Sequence, residues 1–221
     1  MKSNMIRHIS RIKDPGSAIT HFIAMVLAIC AATPLLIKAS RQQGHFLFLL
    51  IFIVSMIGLY GASTIYHTLD ISPKINRMLR KLDHMMIFIL IAGTYTPVCM
   101  IVLGDRTGWL LLAAVWMIAV VGIMINACWI TCPKWFSSLI YIAMGWVCIL
   151  AITKIISSLP RAGFIWLLAG GIIYTLGGVI YALKLPIFNS RHKHFGSHEI
   201  FHLFVMGGSL CHYVMMYQFV A

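Results

Sequence analysis

Apolar residues run through the chain in seven stretches, at about 18–37, 46–67, 84–103, 108–130, 136–153, 162–183 and 199–219. Each is close to the roughly 20 residues that a helix needs to cross the hydrocarbon core of a bilayer. The breaks between them carry turn and charge residues: Arg41-Gln42-Gln43-Gly44, Pro73-Lys74, Gly104-Asp105-Arg106, Cys132-Pro133-Lys134, Pro160-Arg161 and the segment from Pro186 onward. These connections are short, so consecutive spans should pair as antiparallel hairpins. The expected fold is an all-α membrane protein. A seven-transmembrane-helix bundle covers residues 17–221, preceded by a basic segment at 1–16. No internal repeat is visible, and no length is left for a second domain.

Composition sharpens this picture. Hydrophobic residues make up 61% and charged residues 10%, with a mean hydropathy of +0.92. A soluble domain carries about a quarter charged residues. One core cannot hide so much apolar surface, so the chain implies a bilayer as solvent, here the cell membrane. The formal net charge is +12, yet the basic residues cluster between apolar runs, and no nucleic-acid partner is expected. They set topology instead. With the N-terminus in the cytoplasm, 12 Lys and Arg fall on inner segments and 5 on outer ones, as the positive-inside rule requires. The C-terminus is then outside. Residues 5–13, with Ile6, Ile9 and Ile12 among basic side chains, should lie along the inner interface. The first span is read as uncleaved, because its apolar run continues past Cys30 and Ile29 is too bulky for a lipoprotein cleavage site. The six cysteines, all in or beside apolar runs, form no secreted disulfide framework. Cys128 and Cys132 are read as small apolar fillers rather than a metal pair.

Ionisable side chains are costly inside a membrane, so each one in a span is a functional candidate. Under the expected topology His67 ends the second span at the cytoplasmic side, and Asp83 and His84 begin the third there. His198 and His202 occupy the first turns of the seventh span, and Asp14 and His21 flank the start of the first. Segments distant in sequence thus bring His and Asp to one depth. His198 and His202, four apart, project from one helix face about 6 Å apart along the axis. That is how a helix offers two imidazoles to one metal ion. His67 supplies a third nitrogen, and Ser63 shares its face one turn earlier. Three histidines leave a tetrahedral zinc ion one open position, the arrangement of a catalytic site. Zn2+ is therefore the expected cofactor. Asp83 is the candidate to orient or deprotonate water at that position, and Ser63 to hydrogen-bond that water or a substrate carbonyl.

Plainer readings compete. A histidine near a membrane interface is ordinarily an interfacial polar residue, and His8, His45, His192, His194 and His212 are read that way; His84 can be read so too. A carboxylate in the first turn of the third span, as Asp83 would be, also simply favours the helix dipole. His198-Glu199-Ile200-Phe201-His202 matches H-E-x-x-H, the metalloprotease helix with Glu199 as general base, but that reading leaves His67 and Ser63 without a role. Ala92-Gly93-Thr94-Tyr95-Thr96-Pro97 predicts a kink with locally satisfied backbone. Gly58, Gly61, Ala62, Gly170-Gly171 and Gly177-Gly178 predict close helix packing, and Asn126 an interhelical hydrogen bond.

Three blocks carry a resemblance to a known family. They are Asp14-Pro15-Gly16-Ser17-Ala18-Ile19-Thr20-His21; Ser63-Thr64-Ile65-Tyr66-His67 with Asp83-His84 and the Ala92–Pro97 segment; and Gly196-Ser197-His198-Glu199-Ile200-Phe201-His202. In these the chain resembles the haemolysin III-like proteins, relatives of the adiponectin and progestin receptors, in their bacterial branch. The resemblance implies a seven-helix fold with zinc near the cytoplasmic face. It puts the ligands at His67, His198 and His202, and Ser63 and Asp83 at the other polar site positions. It also implies kinship with lipid amidases of the alkaline ceramidase type. The expected function is hydrolysis of a lipid amide or ester in the cytoplasmic leaflet, with a membrane lipid as substrate or ligand. The alternatives are a membrane receptor or sensor with structural zinc, and a cytolytic protein. An intramembrane metalloprotease is the weaker alternative, since relatives can carry an uncharged residue at the Glu199 position.

Overall fold

Several of the helices begin where a proline or a capping side chain can start them. In the computed structural model, which describes residues 12–129, 133–183 and 196–221, Pro15 opens α1 (Pro15–Ala39) and Pro73 opens α3 (Pro73–Pro97). Proline suits the first helical turn because its missing N–H is one of the groups left unbonded there. Ser72 Oγ caps α3 by accepting from Ile75 N at 3.3 Å. Asp105 caps α4 (Arg106–Cys128) by accepting from Gly108 N at 3.1 Å. The Lys154 ammonium, 2.6 Å away, and the Gly108 N–H hold the Asp105 carboxyl below its usual range. The remaining helices are α2 (His45–Thr68), α5 (Lys134–Gly145), α6 (Ile152–Ser158), α7 (Arg161–Leu183) and α8 (Ser197–Met215). Residues 5–11 of the expected interfacial segment lie outside the described residues, as do Cys132, Lys184, Arg191, Lys193, His8, His192 and His194.

These helices make seven spans long and apolar enough to cross a membrane, the fifth built from α5 and α6 together. α2, α3 and α8 form the middle of the bundle and carry most of its buried residues, among them Phe52, Tyr60, Phe88 and Met215. The others leave broad apolar faces exposed, such as Leu110 and Met117 on α4 and Leu150 before α6, as lipid-facing helices do. Seams are close where side chains are small. A Cβ at Gly93 of α3 would collide with Ser55 of α2. Gly170 and Gly177 are likewise needed at their contacts, whereas at Gly58 a Cβ would meet only the flexible tip of Met86, Gly61 has ordinary clearance and Gly171 faces open space. The Asn126 amide donates to Tyr141 Oη at 3.3 Å, the interhelical bond expected of it.

Two spans depart from the expected continuous rods. α3 starts eleven residues before the apolar run does, so Asp83 sits three turns inside the helix. A carboxylate that deep does not meet the N-terminal dipole, which acts within the first turn. Beyond Pro97 the span continues as a wider π turn, Val98–Leu103, closed by Gly104 at φ 60°. Thr94 and Thr96 hydroxyls bond back to the Leu90 and Ala92 carbonyls at 2.8 and 2.9 Å, the local satisfaction the sequence predicts. The fifth span breaks at Gly145, passes through a tight turn at Val147–Ala151 and resumes as α6. Tyr95 of α3 is the cause. Its hydroxyl donates to the Gly145 carbonyl at 2.6 Å and accepts from Cys148 N at 2.9 Å, replacing bonds of the helix's own ladder.

Candidate metal centre

The first connection of the site is made by backbone. Asp14 N–H donates to the His67 carbonyl at 2.9 Å, tying the start of α1 to the end of α2. Asp14 occupies the N-cap of α1 yet makes no cap bond. Its carboxylate instead accepts from His67 Nδ1 at 3.0 Å. A carboxylate only accepts, so Nδ1 carries the ring proton and Nε2 keeps its lone pair. His67 is 2% exposed, fixed in one tautomer and aimed at α8.

α8 brings the other two nitrogens. His198 Nε2 lies 3.3 Å from His67 Nε2. Two ligands, each about 2.0–2.1 Å from a tetrahedral zinc, stand about 3.4 Å apart. His202 is buried, with Thr20 Oγ1 3.5 Å from its Nδ1. The Thr20 proton is directed to the Gly16 and Ser17 carbonyls, each 3.0 Å away, so toward His202 this oxygen accepts. The lone pair of His202 is thereby left on Nε2. Nitrogens of His67, His198 and His202 lie within 4.8 Å of one another, a group that could hold a metal ion. Donor type, spacing and tautomers all fit one.

The remaining candidates divide sharply. Ser63, one turn before His67, is 1% exposed, and its Oγ has no hydrogen-bond partner. Its polar neighbour is the buried Asp83 carboxyl, with which it interacts at a geometry looser than an ordinary hydrogen bond. His84 belongs to the scaffold: its ring meets the Arg80 carbonyl at 2.8 Å and Tyr181 Oη at 3.3 Å. Both Glu199 oxygens are engaged. One accepts from Ser17 Oγ at 2.7 Å and the other from Gly196 N at 2.8 Å, tying α8 to α1 and capping the first turn of α8.

Two arrangements were not foreseen: one around His21, which the sequence places at this depth without assigning it a role, and one beyond it. His21 stacks on His202 with ring centroids 3.6 Å apart, and neither of its nitrogens has a partner. Beyond it, Tyr60 and Tyr174 both bond Ser209 Oγ at 2.7 Å. Serine and tyrosine within apolar runs were the only available signal for that network. His212, read as interfacial, is instead buried inside the bundle against the Leu167 carbonyl.

A polytopic helical membrane protein with a three-histidine cluster, two of its members buried, is thus defined. The chain matches the family described as Haemolysin-III related over residues 9–213, and it belongs to that family. It is 38% identical over 212 residues to Hemolysin-3 of Bacillus cereus, covering 95% of this chain and 93% of the relative. It is 37% identical over 199 residues to Hemolysin-3 homolog of Bacillus subtilis (strain 168), covering 89% of each.

Proposed function

We propose that this protein is a zinc-dependent hydrolase of a lipid amide or ester bond, working in the cytoplasmic leaflet of the cell membrane. The observation that carries the reading is the buried Ser63 hydroxyl, one turn from His67 of the three-histidine group and beside the buried Asp83 carboxyl, with no partner in hydrogen-bond geometry. A structural site would have no use for a costly unbonded hydroxyl beside it. Bound zinc supplies Lewis-acid polarisation of a carbonyl and water acidified to near neutral pH. Ser63 donates to the acyl carbonyl oxygen and holds it at the cluster. Asp83 accepts the proton of the attacking water, the C–N or C–O bond breaks, and Asp83 returns the proton to the leaving amine or alcohol. Asp14 keeps His67 in the ligating tautomer throughout. Glu199 takes no proton, since both its oxygens are committed to structural donors.

Metal analysis of the purified protein, combined with mass spectrometry of lipid products, tests the reading. About one zinc per chain is expected, with released fatty acid. Asp83→Asn should keep zinc and lose activity by about 10²–10⁴-fold, while Glu199→Gln keeps both. Zinc with no product from any lipid would favour a sensor with structural metal. A dead Glu199→Gln beside an active Asp83→Asn would restore the H-E-x-x-H reading. The relatives' name favours a second function, membrane lysis, for which dye release from vesicles by the purified protein is the direct assay.

A further inference from the structure

A cavity runs lengthwise through the bundle between α3, α5, α7 and α8. One end reaches Leu59, Ile87 and Phe201, which lie one turn or one residue from Ser63, Asp83 and His202. The other end reaches Val98, Ile152 and Phe164. Along α8, from Phe201 to His212, this is a rise of about 16 Å. The length and the apolar lining suit an extended acyl chain.

The wall is not uniformly hydrocarbon. Its Thr94, Tyr95, Tyr141, Tyr174 and Thr175 hydroxyls are bonded within the protein. Two of its lining residues carry a buried polar atom that is not: Ser138 with its Oγ and His212 with its Nδ1, on residues 1% and 7% exposed. Ser138 lies in the second turn of α5, at the end nearer the histidine cluster. There it can meet the polar end of a lipid. His212 is in the distal half, three turns beyond Phe201 on the same face of α8.

The chemistry at His212 is specified by its other nitrogen. Nε2 is 3.2 Å from the Leu167 carbonyl, which can only accept, so Nε2 carries the proton. Gly170 makes this seat possible, because a Cβ there would collide with the ring at Cδ2 and Nε2. Nδ1 therefore carries a lone pair, buried and without a hydrogen-bond partner. A plain hydrocarbon chain leaves it unsatisfied, and a carboxylate or ester carbonyl cannot bond it. A hydroxyl can.

We propose that this cavity binds a lipid whose acyl chain carries a hydroxyl on its distal half, donating to His212 Nδ1. The inference rests on the lipid-hydrolase reading for the direction of the chain, with its carbonyl at the Ser63 end. Binding itself requires no turnover.

The test is displacement of a fluorescent fatty acid from the purified full-length protein in detergent. The competitors are stearic acid, the hydroxystearic acid with its hydroxyl on the distal half, and the isomeric hydroxystearic acid with its hydroxyl beside the carboxyl. The distal hydroxyl should improve binding roughly tenfold, the value of satisfying one buried acceptor. His212→Phe should erase that preference while zinc content is retained. Equal binding of all three acids by the unaltered protein would overturn the proposal, and that comparison does not depend on the variant folding. Equal preference for the two hydroxylated acids, or a distal preference persisting in His212→Phe, would overturn the assignment to His212. A distal preference without product from any lipid would retain this site and remove only the hydrolase reading.

Discussion

Asp14 precedes a helix and caps nothing, because its carboxylate is taken by His67 across 53 residues of sequence. Partners of this kind hold a metal-binding imidazole in its tautomer and orientation, and removing one costs about 10–100-fold in metal affinity. Asp14→Ala should therefore weaken zinc binding by that factor, measured by competition with a chelator, while helix content stays unchanged. Loss of helical structure with unaltered zinc affinity would reverse the assignment and make Asp14 a simple cap. That His67, His198 and His202 come together was legible because His198 and His202 share a helix face and His67 shares their expected depth. The roles of Asp14, Thr20 and Glu199 were not. Asp14 and Glu199 each stand at a helix start, where a cap or dipole role accounts for them equally well. Only the positions of the partner helices show which atoms they bond.

Among elements, the seam between α2 and α3 is closely packed, because Ser55 sits against the Gly93 backbone with no space for a Cβ. Overpacking of this kind costs about 1–3 kcal/mol. Gly93→Val should lower the thermal midpoint of the solubilised protein, and Gly171→Ala, facing open space, should leave it unchanged; equal effects would refute the seam. Span existence was readable from apolar length alone. Span shape was not. The first three turns of α3 carry Lys74, Arg77, Arg80 and Lys81, so they show no apolar excess to mark them as helix. The break in the fifth span arises from Tyr95, a residue of another helix 50 positions away. Local sequence at Gly145 and Trp146 contains no proline and gives no warning.

For the molecule as a whole, seven spans put the two termini on opposite sides of any membrane they cross. The histidine centre lies at the end of the bundle where α1, α3 and α8 begin and α2 ends. Lys74, Arg77, Arg80 and Lys81 stand at that same end on α3, and cytoplasmic segments are the ones enriched in Lys and Arg. The orientation expected from the 12 to 5 division therefore opens the histidine end to the cytoplasm. A reporter fused after Ala221 should be active outside the cytoplasm, and one inserted beside Pro73 active inside. The two fusions check each other, since opposite faces must give opposite signals. An active cytoplasmic fusion at Ala221 with an external one at Pro73 would invert the protein and move the proposed lipid chemistry to the outer leaflet. It would leave the geometry among His67, His198 and His202 untouched. Topology and metal binding are thus separately testable, and only the leaflet in which the substrate lies depends on the first.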